Sequence, residues 1–354
     1  MKLIVLPGDC IGPEITDAAM AVLSAVNGAR GLGLAFDHDI VGLESLEKHG
    51  STLREGLIAR LPSYDGIILG PNHGAIYPPA SEGGINYSAY LRTKLDLYAN
   101  IRPARTPPGK HPHTANPFDL IIVRELTEGH YADRNMHEGV ADLMVTPDVA
   151  VSLRKVTRFA CERIARRACE LAMTRDKRVT VVHKANVLKR GDGLFLESAR
   201  AVAKEFPEIT MDDVIVDAMA AWLVRAPERF DVVVTGNLYG DILSDLAAEL
   251  SGSLGLAGSI MAGDDLCAAQ AQHGAAPDIA GQDKANPTSM ILSVAMLLEW
   301  LGARRGRADL TQAASAMTKA VDQVLADTAR CTADMGGSNG TAAFGAAVAR
   351  EAIQ

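Results

Sequence analysis

Three carboxylates, one lysine and three arginines stand where they can do chemistry. The stretch Phe230–Leu250, FDVVVTGNLYGDILSDLAAEL, reads as a buried apolar strand at Val232–Val234, a turn through Gly236, Asn237 and Gly240, and then a helix. Asp241 and Asp245 lie four apart and share one face of that helix. Such a pair can seat a hard divalent cation or complement the positive end of the helix dipole; on this stretch alone the second reading is the better one. Asp217 follows the apolar run Val214–Val216 and would add a third carboxylate to a metal's ligand set. Lys184 follows the strand pattern Val179–His183. Partial desolvation there lowers an ammonium pKa toward that of a general base, and a surface lysine laying its stem on apolar neighbours fits equally well. Arg92 sits in the helical pattern YLRTKLDLYAN, Arg102 in IRP, and Arg124 ends DLIIVR. Guanidinium forks at element ends suit capture of carboxylates. For a single arginine a surface ion pair is the simpler reading, least so for Arg124 directly after a buried run.

The elements that must position these groups alternate. Strand patterns fall at Lys2–Leu6, Asp65–Leu69, Asp119–Val123, Val179–His183, Val214–Val216 and Val232–Val234. These runs are apolar on both faces, as parallel strands between helix layers should be. Helical periodicity covers Ile15–Val26, Val156–Met173, Leu194–Glu205, Ser289–Leu301, Leu310–Thr328 and Thr341–Ile353. The class is α/β with a mostly parallel sheet. Pro71–Ser88 is a Gly-, Pro- and Asn-rich loop of functional length, and Pro-rich Pro103–Pro117 marks a crossing between domains. Tyr131–Val149 lacks helical period and reads as a protruding arm. Gln272–Ser289 is a polar Gly/Pro-rich segment that would let a flat ligand approach closely. No strand is followed by GxGxxG, so a Rossmann site is not supported.

The chain has 354 residues, enough for two domains, with 48% hydrophobic and 22% charged residues. A net charge of -8 gives no general attraction to nucleic acid or to an anionic membrane. Five scattered cysteines form neither a disulfide framework nor a zinc motif, which fits a reducing cytoplasm. The first apolar run is too short for a signal peptide, and no run spans a bilayer.

Seven motifs in order then make a family resemblance specific. They run from LPGDCIGPE through LRTKLDLYANIRP, RELTEGHY, HKANVL, NLYGDILSDLAAEL and HGAAPDIAGQDKANPTS, with DMGGSNGTAAF closing the series. The chain resembles the β-decarboxylating dehydrogenases, which act on isopropylmalate, isocitrate, homoisocitrate, tartrate or D-malate. The resemblance implies the isopropylmalate dehydrogenase-like two-domain fold rather than a Rossmann fold. Residues 1–101 plus 252–354 would form the dinucleotide-side domain, and 102–251 a central dimerisation domain with the arm near 131–149. It implies a homodimer with shared active sites. Arg92, Arg102 and Arg124 would bind the malate carboxylates, with Asn86 and Ser88 facing the C3 substituent. Asp241 and Asp245, with the partner's Asp217, would hold Mg²⁺ or Mn²⁺ and abut the substrate. Tyr131 and the partner's Lys184 would be the proton-transfer pair. Ile11, His273, Gly274, Ala275, Ala276, Asp278, Ile279 and Asn286 would bind the dinucleotide. Asp278 at the adenosine ribose accepts from a free 2′-hydroxyl and repels a 2′-phosphate, so NAD is the expected cofactor.

Departures from the family pattern bear on the substrate. Cys10 stands where PGDGIGPE has Gly, Gln270 replaces a common Glu, and Ala275 replaces a common Ser; the last two are expected near the dinucleotide. Isopropylmalate enzymes carry a leucine pair where this chain has Ser88 and Ala89. If Asn86 and Ser88 are buried, an isopropyl group against them would leave each polar group unpaired, at about 1–3 kcal/mol. This favours a polar-substituted malate such as isocitrate or homoisocitrate, with isopropylmalate as the alternative. A non-catalytic regulatory paralogue is the alternative of another class, and the presence of Tyr131, Lys184, Asp217, Asp241 and Asp245 argues against it.

Overall fold

The computed structural model describes the chain except residues 132–135 and 137–140. From the N-terminus the elements are β1 (Lys2–Leu6), α1 (Gly12–Arg30), β2 (Ala35–His38), α2 (Leu43–His49), α3 (Glu55–Arg60), β3 (Gly66–Leu69), α4 (Tyr87–Lys94) and β4 (Ala99–Arg105). Then come β5 (Asp119–Glu125), β6 (Asp142–Thr146), β7 (Val149–Ser152), α5 (Arg158–Ala172), β8 (Arg178–His183), α6 (Gly191–Ala203), β9 (Thr210–Ile215) and α7 (Val216–Arg225). The chain finishes with β10 (Val232–Thr235), α8 (Asn237–Ser251), β11 (Ile260–Ala262), β12 (Cys267–Gln270), α9 (Thr288–Arg305), α10 (Ala308–Ala326) and α11 (Thr341–Ala352).

Two compact units result. The first comprises Met1–Leu91, Pro107–Lys110 and Ser253–Gln354; the second comprises Arg92–Thr106 and His111–Gly252. The first crossing falls inside α4, earlier than Ile101. In the first unit the strand order is β2-β1-β3-β12-β11, parallel except for β11 against β12. In the second it is β4-β5-β10-β8-β9, parallel except for β4 against β5. Parallel strands need both faces covered, which is why β1 from Leu3 onward, β3 and β10 are buried and almost wholly apolar. The core of the second unit gathers Phe118, Leu120, Ile122, Val182, Val233, Leu243 and Ala247. Burying side chains of this kind stabilises by roughly 1.5–3 kcal/mol each.

Several expectations are corrected. Val216 begins α7 rather than ending a strand, so Asp217 lies in that helix's first turn. The strand there, β9, is largely exposed because it is the edge strand of its unit. Helix α8 starts at Asn237, with no turn at Gly240. The expected arm at Tyr131–Val149 falls partly outside the described residues. Its far part is the antiparallel pair β6 and β7, with Met144, Val145 and Val149 exposed.

The loop Pro71–Ser88 is tied down rather than open. The Asp9 carboxylate accepts from the backbone of Leu43 and His73, at 2.7 and 2.8 Å, and from the Tyr77 hydroxyl. The Tyr87 hydroxyl donates to Pro71 O at 2.6 Å, and Thr52 bonds to Ile85 O at 2.6 Å. Cys10 keeps the left-handed backbone that a glycine would take there, with φ of 55°. The side chain bears that conformation at a cost of about 1–2 kcal/mol, and its Sγ lies 3.6 Å from His73 Nδ1.

Candidate active site

Strand pairing brings the second unit's arginines onto one sheet face. Arg124 on β5 pairs in register with Asn100 on β4, and Arg102 is two residues further along β4. Helix α8 covers that face. At Gly240 a Cβ would stand 2.5 Å from Arg124 Cγ, so only glycine lets the arginine stem pass beneath the helix. The helix turns Asn237, Gly240 and Ser244 inward and leaves Asp241 and Asp245 half-exposed at its border.

Both guanidiniums are buried, at 2% exposure for Arg124 and 7% for Arg102. Asn237 Oδ1 accepts from Arg124 Nε and Nη2 at 2.9 and 2.7 Å. Asn100 Oδ1 accepts from Arg102 Nε at 2.6 Å, and Ser244 Oγ accepts from its Nη1 at 2.8 Å. Beyond these neutral brackets, Arg124 pairs with Asp241, and Arg102 reaches Asp245 at 3.1 Å and Asp241 at 3.5 Å. The Tyr131 hydroxyl donates to Asp241 Oδ2 at 3.2 Å. Burial, and then the charge of Arg102, pushes the Arg124 guanidinium down to about 10. Burial lowers Arg102 as well. Two desolvated cations facing each other are a ready receptor for carboxylates.

The sequence motifs thus meet at Arg102, Arg124, Tyr131, Asp241 and Asp245. Arg92 is half-buried on α4. Lys184 and Asp217 form an ion pair of their own, with side chains 27% and 69% exposed, and hydrogen bonding from Lys184 lowers the Asp217 carboxyl. Among the described residues no three His, Cys, Asp or Glu side chains converge as a metal cluster. Asp241 and Asp245 fit two positions of an oxygen-ligated divalent cation, and one chain does not bring Asp217 to them. Sequence reasoning missed the brackets Asn100, Asn237 and Ser244. Their only signal was proximity to the arginines and aspartates in the motifs.

In the first unit the expected dinucleotide residues occupy two adjoining loops, linked by Ile11 N donating to Ala275 O at 3.2 Å. His273 directs Nδ1 at Gly274 O, 3.0 Å away, while its Nε2 is buried with no partner among the described residues. Burial lowers its pKa, so the ring favours the neutral state there. An orphaned ring nitrogen fits a site built to receive a polar ligand. Ala276 takes a left-handed backbone that opens the turn Pro277–Ile279, leaving Asp278 exposed. Asn286, two residues before the start of α9, accepts from Thr288 N at 3.0 Å and donates to Asp334 at 2.9 Å. Asn86 is exposed rather than buried and stands just before α4, its Oδ1 accepting from Ala89 N at 3.0 Å, so the penalty expected for an alkyl group against it does not apply. Gln270 does not turn to these loops; it bonds Ser88.

A mostly parallel α/β fold here carries a buried arginine pair beside two helix-borne carboxylates, an arrangement suited to receiving carboxylate groups. The chain belongs to the isocitrate/isopropylmalate dehydrogenase family, whose profile matches residues 2–348. It is 43% identical over 352 residues to an isocitrate/homoisocitrate dehydrogenase of Thermus thermophilus, covering 98% of this chain and 97% of that one. It is 38% identical over 351 residues to a 3-isopropylmalate dehydrogenase of Methanothermobacter thermautotrophicus, covering 99% and 98%. The crystal structure of isocitrate dehydrogenase from Methylococcus capsulatus superposes with a TM-score of 0.86 at 40% identity, covering 100% of this chain and 99% of that one. The family makes this chain a decarboxylating dehydrogenase. Among the described residues no helix is long and apolar enough to cross a membrane.

Proposed function

We propose that the chain oxidises and decarboxylates a 3-substituted malate, with NAD as hydride acceptor and Mg²⁺ or Mn²⁺ as the divalent cation. The observation that carries this reading is the buried Arg102–Arg124 pair against Asp241 and Asp245. Arg92, Arg102 and Arg124 hold the substrate carboxylates and fix the reacting carbon. Asp241 and Asp245 would hold the cation with the partner's Asp217. When bound, that cation supplies acidity to the C2 hydroxyl and polarisation to the ketone. Lys184 takes the hydroxyl proton, directly or by relay, its charge balanced by Asp217. Tyr131 protonates C3 after CO₂ departs. Asp278, exposed in its turn, accepts from a free ribose 2′-hydroxyl and disfavours a 2′-phosphate.

Isocitrate- or homoisocitrate-type substrates are the first reading, supported by the polar residues on α4 and by the name of the Thermus relative. Isopropylmalate is the second, because the Ser88 hydroxyl already has a partner. We further propose that two chains pair through the second unit, each lending Lys184 and Asp217 to the other. Exposed Val187, Val224 and Ile242 support such pairing.

The test is NADH formation across isocitrate, homoisocitrate, isopropylmalate, tartrate and D-malate with Mn²⁺. Turnover of at least one is expected, and silence on all would return the chain to the non-catalytic reading. Asp278→Lys should move preference from NAD toward NADP; unchanged preference would remove Asp278 from the cofactor assignment.

A further inference from the structure

Gln270 departs from the family pattern, and the dinucleotide role does not absorb it. It ends β12 at 8% exposure and faces Ser88, which is 3% exposed on α4. Its Nε2 lies 3.1 Å from Gly70 O, a carbonyl that can only accept, so the amide must present its NH₂ there. That leaves Oε1 toward Ser88 Oγ at 2.9 Å, and an amide oxygen can only accept. The Ser88 proton is therefore committed inside the protein, and the hydroxyl has only lone pairs to offer.

The polarity of Ser88 matters because a buried hydroxyl discriminates by what it lacks. A wall that must donate to a substrate carboxylate rejects an alkyl analogue, since the donor is then left unpaired. A wall already paired within the protein has no such preference. Gln270 supplies that pairing, and it undoes the expected penalty for an isopropyl group against Ser88. A carboxylate at position 270 could not do the same, because it would set an acceptor against Gly70 O.

We propose that Gln270 is a specificity-determining residue, holding the Ser88 hydroxyl so that the enzyme accepts malates whose C3 substituent carries no carboxylate as well as those that do. This rests on the reading that Ser88 faces the C3 substituent. The residue acts through Ser88 and does not itself touch the substrate.

The experiment compares kcat/KM for isocitrate and isopropylmalate, read as their ratio in the parent, Ser88→Ala, Gln270→Met and the double variant. A ratio cancels losses of folding or cofactor binding common to both substrates. Gln270→Met also removes the donor to Gly70 O, because the Tyr87 proton is directed at Pro71 O, and that loss is common to both substrates and cancels in the ratio. The parent should turn over both substrates. Ser88→Ala should shift the ratio by less than about threefold, because its proton was not serving the substrate. Gln270→Met frees that proton and should raise the isocitrate-to-isopropylmalate ratio about tenfold. The double variant should return to the parent ratio. A tenfold loss confined to isocitrate in Ser88→Ala, or an unmoved ratio in Gln270→Met, would overturn the proposal while leaving the dehydrogenase reading intact. A parent silent on either isocitrate or isopropylmalate overturns the proposal, and only silence on all five acids would take the dehydrogenase reading with it.

Discussion

Arg124 and Arg102 are held by amide and hydroxyl oxygens rather than by buried carboxylates, and this decides their use. A buried acid would neutralise them within the fold. Asn237, Asn100 and Ser244 orient them and leave the charge to Asp241, Asp245 and the ligand. The arginines and aspartates were legible as motif letters, whereas the brackets were not, because an asparagine's value here comes from strand register and helix phase. A second residue-scale network lies at Asp213. Burial raises its carboxyl, but hydrogen bonds from His183 at 3.0 Å and Arg200 at 2.7 Å outweigh this, and the net pKa falls below the ordinary 3.8. A depressed folded pKa stabilises fully above the unfolded value and is lost as pH falls through the folded one. Asp213→Asn should therefore lower stability by about 1 kcal/mol at pH 7. The gap from the parent should close in melts as the pH is taken down from the ordinary carboxylate value through the lowered folded one. A gap that persists there would mean that the charge of Asp213 is not the cause.

Helix α8 shows what an element adds to its letters. Its spacing put Asp241 and Asp245 on one face, which the structure bears out. The sequence also suggested a turn at Gly240, because glycine usually signals one. Here the glycine sits within the helix and serves a close approach: its missing Cβ is the space Arg124 uses. Gly240→Ala should cost about 1–3 kcal/mol by overpacking. It should also raise KM for the acid substrate more than it changes kcat, since it displaces a binding group. Denaturant melts and steady-state kinetics together check this, and an unaltered KM would show that Arg124 tolerates the intrusion. The parallel strands were legible because burial on both faces leaves an apolar run. Strand β9 was read only in its last residues, since an edge strand needs no such run. Short β2, β11 and β12 carried too few residues to show a period, and α7 was hidden behind the run Val214–Val216.

At the scale of the whole molecule, one chain brings together two of the three proposed metal carboxylates, and its Lys184–Asp217 pair stands separately. Mixing the two inactive variants Lys184→Ala and Asp241→Asn, followed by re-pairing, should restore about a quarter of the parent rate. Half of randomly formed dimers would be hybrids, and each hybrid holds one intact site. No recovery, in a mixture shown by mass spectrometry to contain hybrids, would place each complete site within a single chain. The paired arginines have a further consequence away from catalysis. Two like charges shut from water have only the half-exposed Asp241 and Asp245 against them, so a bound acid would add counter-charge that the fold supplies in part. Ligand that binds only the native state raises its stability in proportion to the logarithm of ligand concentration. Pulse proteolysis with and without the acid substrate should find the loaded chain cleaved more slowly. In a cell with active proteases, the lifetime of this protein would then follow the supply of the acid it consumes.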